Sequence, residues 1–190
     1  MVWFGKLMTG SWSDGPAHNL TTSTPHYIGA TAVSDGRVVM APYNADSVGL
    51  YDPASDTFST GPAHNKSGSY IYQDAITAPN GNVVLVPTDA DTIGIFDPSN
   101  DSFIDGAANG GDGSDPFESG LLHSNGLMIF TPATNGSVGI YDPDEDEYQD
   151  GASHGKGTGE IWFQGETELP DGRVVFSPRS SDTIGVWTPE

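Results

Sequence analysis

The chain has no cysteine, which excludes disulfides and thiolate-bound metal sites. It is also poor in positive charge. Lys and Arg together number 6 against 26 Asp and Glu, a formal net charge of −20 over 190 residues. Such a surface repels phosphate backbones and anionic bilayers, so neither nucleic acid nor a membrane surface is expected as a partner. Long apolar runs are missing as well. None approaches the roughly 18 residues that a membrane-spanning helix needs. The apolar N-terminus, with Trp3 and Phe4, is short and lacks the pattern of a secretory signal. No long amphipathic helical period is present. Glycine (25) and proline (14) are abundant instead, which favours an all-β fold of short strands and tight turns.

What is present is a repeat. The segments Asp35-Gly-Arg-Val-Val-Met-Ala-Pro42, Asn80-Gly-Asn-Val-Val-Leu-Val-Pro87, Asn125-Gly-Leu-Met-Ile-Phe-Thr-Pro132 and Asp171-Gly-Arg-Val-Val-Phe-Ser-Pro178 align without gaps. Their turn glycines, Gly36, Gly81, Gly126 and Gly172, are 45, 45 and 46 residues apart. Each proline is followed seven residues later by another glycine, then by Tyr51-Asp-Pro, Phe96-Asp-Pro, Tyr141-Asp-Pro or Trp187-Thr-Pro. A β-rich period in the forties is the mark of propeller blades. Each unit reads as four strands, a to d. An Asp-Gly or Asn-Gly hairpin joins a to b, and b is apolar throughout because it is buried on both faces.

The expected fold is therefore all-β, a four-bladed β-propeller with four-stranded antiparallel blades in a single domain over residues 1–190. The repeats fall at about 19–62, 63–107, 108–152 and 153–190. The fourth repeat has no strand d sequence. Trp12-Ser-Asp-Gly-Pro-Ala-His18, however, matches Phe58-Ser-Thr-Gly-Pro-Ala-His64. A closing strand at about 8–14 is thus expected to pair with the last blade and seal the ring. The alternative is a larger ring shared by two or more chains that exchange this strand.

The Gly–apolar–Pro…Gly-x-Tyr-Asp-Pro…Asp-x-Phe pattern resembles Kelch-type propeller repeats, without their Gly-Gly pair and later Tyr/Trp pair. The segments VGLYDPASDTF and IGIFDPSNDSF resemble repeat proteins of tailed phages and marine microbes. This resemblance spans about residues 12–190 and implies a virion structural or host-recognition component, hence a virion location.

Two groups of residues are candidates for a site. His18, His64, Asn109 and His154 share one repeat position in the loop from strand d to the next strand a. They could form a ligand or ion ring, or each could bond its own loop and fix the crossover. Asp74, Glu118 and Glu166 fall on strand a, where they would line the channel with Gln73 and could hold a cation through oxygen ligands. No resident cofactor is otherwise expected. The b–c loops carry the irregular residues Tyr43, Asn44, Asp89, Asn135 and Arg179, and irregular positions speak more for function than repeated ones. No nucleophile elbow, phosphate loop or zinc motif occurs. The sequence therefore reads as a non-enzymatic binding or assembly module, with other virion proteins or a cell-surface glycan as partner. The alternatives are a free carbohydrate-binding propeller, located outside or inside a cell, and a glycoside hydrolase acting through Glu118 and Glu166.

Overall fold

A computed structural model describes residues 10–20, 24–110 and 115–190. Fifteen strands form four antiparallel sheets, one per repeat. The first holds β1 (Tyr27–Ala32), β2 (Val38–Pro42), β3 (Ser47–Asp52) and β4 (Thr57–Ala63), in that order. The second holds β5 (Tyr72–Thr77), β6 (Val83–Pro87), β7 (Thr92–Asp97) and β8 (Ser102–Ala108). The third holds β9 (Phe117–Leu122), β10 (Met128–Pro132), β11 (Ser137–Asp142) and β12 (Glu147–Ser153). The fourth has three strands, β13 (Phe163–Glu168), β14 (Val174–Pro178) and β15 (Gly185–Trp187).

The local chemistry of the repeat explains these meanders. At the a–b hairpin Gly36 takes φ +94°, and the Asp35 carboxylate accepts the Arg37 N–H at 2.9 Å. At the c–d turn the Asp52 carboxylate accepts the Ala54 N–H at 2.8 Å, as Asp97 and Asp142 do in their own blades. Those Asp-Pro pairs are turn formers. Strand d begins one residue before the repeated aromatic, and in the first blade it runs on through Gly-Pro-Ala, where β4 pairs with β3 as far as Ala63 and Ser47.

The core lies between sheets. One apolar cluster joins the first two blades, a second the next two, and a third the last two. Packing runs β1 on β5, β5 on β9 and β9 on β13, with no comparable contact between the first sheet and the fourth. The blades thus form an arc with two end faces.

The closing pair is not among the strand pairings of the described residues, where β15 pairs with β14. Of the expected closing segment, Met8 and Thr9 lie outside the described residues, as do Trp3 and Phe4, and Gly10 to Asp14 form no strand. Trp12 is 91% exposed. The segment beyond it docks on the first blade, where Gly15, Pro16 and His18 line a cleft with Tyr51, Asp56 and Phe58. His18 meets Phe58 edge-on at 6.2 Å between ring centroids, much as His64 meets Phe103 at 6.4 Å. Residues 12–18 therefore sit on the first blade as strand d of each blade sits on its successor.

Candidate active site at the mouth of the arc

The b–c loops and the loops entering strand a open on the same side of the arc, since both adjoin the Pro end of strand b. In every blade strand a has a register shift near its start, between Tyr27 and Ala30, Tyr72 and Asp74, Phe117 and Ser119, and Phe163 and Glu166. Such irregularities re-aim side chains and are common beside functional sites. Four blades contribute polar groups here.

Glu118, on β9, is 8% exposed. Its Oε1 accepts from Arg179 Nη1 at 2.7 Å, and its Oε2 accepts from the Gln73 amide. Arg179 comes from the fourth blade and Gln73 from the second, so this carboxylate ties three blades together. Burial raises the Glu118 carboxyl above its ordinary range, and Arg179 and Gln73 pull it partly back. The Arg179 side chain is 45% exposed and keeps other N–H groups for a ligand.

Tyr43, from the first blade, packs against Tyr70 with the ring planes tilted by 43° and the centroids 4.8 Å apart. Its hydroxyl is pushed up by burial and then by Asp115, Tyr70, Glu118 and Asp89. Asp89 is raised by burial and by Asp115. Tyr70 holds φ +62° and Asp115 φ +50°. A bulky residue in the left-handed region is costly and tends to mark a functional constraint. Sequence reasoning singled out Tyr43, Asp89 and Arg179 as irregular. It missed Tyr70 and Asp115, which precede strand a and carry no motif; only their place ahead of the repeat boundary could have drawn attention.

A second set of carboxylates lies further along strand a. Glu166 accepts from Ser119 Oγ at 2.5 Å and from the Thr131 hydroxyl. Burial raises it, and Asp74 adds to the shift. Asp74 is itself raised by burial, although the N–H groups of Ala75 and Gly120 favour its charge. Glu118 is therefore bonded to Arg179 and Gln73, while Asp74 and Glu166 are each held by partners of their own. Among the described residues no three His, Cys, Asp or Glu side chains come together as a metal-binding group.

The structure does not gather the crossover residues. His64 donates from Nε2 to the Ala45 carbonyl at 2.8 Å and accepts the Lys66 N–H at Nδ1, 3.0 Å away. His154 does the same with the Asn135 carbonyl and the Lys156 N–H. Asn109 donates to the Ala90 carbonyl at 2.8 Å, and His18 accepts the Leu20 N–H. With both imidazole nitrogens engaged, His64 and His154 lock their crossovers and leave no lone pair for an ion.

The sheets and their packing define a β-propeller-type fold. No known protein-family model matches the chain, and no curated protein is similar to it in sequence. Among solved structures it is similar to a catalytically inactive virginiamycin B lyase from Staphylococcus aureus with quinupristin, at TM-score 0.71 and 15% identity over 85% of this chain and 52% of that one. It is similar to hydrazine synthase of Kuenenia stuttgartiensis at TM-score 0.65 and 14% identity, over 93% and 48%. It is also similar to a protein described as a gluconolactonase, at TM-score 0.59 and 13% identity, over 86% and 60%. The chain thus spans about half the length of the first two. None of the three is a Kelch or phage repeat protein, so the resemblance read from the sequence holds for the propeller and no further. The expectation that the chain is not an enzyme is overturned, because structures sharing this fold include a lyase. Motif absence gave no warning here: the Glu118–Arg179 pair has no local sequence signature, since the third and fourth blades supply it.

Proposed function

We propose that the mouth is the active site of an acid–base enzyme that opens esters or lactones by elimination. Glu118 takes the proton from the carbon flanking the scissile C–O bond. The C–H electron pair forms a double bond, the C–O bond breaks, and its electron pair leaves on the carboxylate product. Arg179 holds that developing negative charge. The observation that supports this reading is the buried, upward-shifted Glu118 carboxyl paired with a half-exposed arginine, in a mouth lined by Tyr43 and Tyr70. A base raised toward neutrality accepts a proton readily, and a fixed cation at the leaving oxygen lowers the barrier. The lyase among the fold neighbours supports the same reaction class.

The test is turnover on a panel of cyclic and linear esters, with products identified by mass. Glu118→Gln keeps the hydrogen bonds to Arg179 but removes the base, and is expected to lower kcat by about 10²–10⁴-fold. From a cyclic ester an unsaturated product of unchanged mass, and from a linear ester an acid and an alkene whose masses sum to the substrate's, identify elimination. A product heavier by one water, or a rate untouched by Glu118→Gln, would sink the proposal.

A further inference from the structure

The two end faces of the arc are the two halves of one interface, the interface that the molecule already builds three times between its own blades. On the outgoing side, Ile93 and Ile95 of the second blade are 0% and 7% exposed because the third blade covers them. Their fourth-blade equivalents, Ile184 and Val186, are 62% and 50% exposed. On the incoming side, Tyr72, Val83, Leu85 and Phe96 of the second blade are fully buried. Their first-blade equivalents, Tyr27, Val38, Met40 and Tyr51, are only half-buried.

The polar contacts match too. Arg37 of the first blade reaches the Pro98 carbonyl at 2.7 Å and Asp101 at 2.8 Å, across the junction with the second. Arg173 is its equivalent in the fourth blade and pairs only with Asp171 of its own hairpin. The partners it lacks have their counterparts in Pro53 and Asp56, at the opposite end of the arc. Among the described residues β15 has no strand beside it on its outer edge, and residues 12–18 carry a strand d sequence whose part from Ser13 to His18 lines a cleft of the first blade.

We infer that two copies of this chain join head to tail, the fourth blade of each packing on the first blade of the other. Residues 12–18 add as the fourth strand beside the partner's β15, and Arg173 reaches the partner's Asp56. The two junctions are identical and close a ring of eight blades. The four blades superpose on part of longer chains, over 52%, 48% and 60% of the three neighbours, as a segment of a larger ring would. In the closed ring both mouths open on one channel, so the second copy completes the walls of the site.

Mass in solution, by light scattering and sedimentation, tests this independently of any activity. The protein is expected at twice the 19.9 kDa of one chain. Val186→Asp puts a charge at a position that is solvent-exposed in the single chain, so folding is spared, and it is expected to abolish the dimer. Arg173→Glu or Asp56→Arg sets like charges across the junction and raises the dissociation constant at least about tenfold. The double variant restores the opposite charges and the dimer. A monomer at all concentrations, a Val186→Asp protein that keeps the doubled mass, or assemblies of more than two chains would each overturn the inference.

Discussion

Glu118 and Arg179 form an ion pair whose two members have different tasks, and the pH dependence of the reaction separates them. Burial lifts the carboxyl, and the guanidinium lowers it again. A base works when deprotonated, so the rate rises with pH through the Glu118 pKa, which lies above the roughly 4.3 of a free glutamate. Arg179→Gln removes the charge that favours the carboxylate. The acid limb of the pH–rate profile is then expected to move to higher pH while the plateau falls about 10²–10³-fold. A limb that stays in place would mean that another group sets it. Little of this was legible in the sequence. Asp74, Glu118 and Glu166 were visible as strand a carboxylates. That Glu118 meets Arg179, and that the other two are held by different partners, depends on which neighbour's side chain each one meets.

At the level of the element, the blade is a hairpin stack held by close approaches that the repeat encodes. The strand c glycine is the clearest. A Cβ on Gly94 would lie 2.9 Å from the Tyr72 ring and 3.0 Å from Phe103. The strand a aromatic therefore lies directly on the strand c backbone, and the same holds at Gly49, Gly139 and Gly185. Gly94→Ala is expected to cost about 1–3 kcal/mol in denaturant unfolding, because neither a ring nor a backbone can yield in a packed core. His64→Ala at the crossover is expected to cost a similar amount, about 1–3 kcal/mol, by leaving a buried carbonyl unpaired. Unchanged stability in both would remove the structural roles assigned here. This scale was the most legible from sequence, since turns, strand b and the inter-blade aromatics all follow from local chemistry and period. The crossover histidines were open to two readings because spacing shows that residues are equivalent and not that they are close.

For the whole molecule, the counting of strands suggested closure within one chain, whereas among the described residues the sheets pack in sequence and the first makes no comparable contact with the fourth. Period and strand order are local properties. Curvature comes from how each sheet tilts on the next, through side chains such as Tyr72, Phe117 and Ile95, and no single repeat reveals it. The same complementarity that suggested a closing strand holds between two chains as well as within one. Electron-microscope class averages viewed down the ring axis count the blades directly. Eight blades around one channel are expected; a four-bladed disc, or an arc left open, would contradict the account.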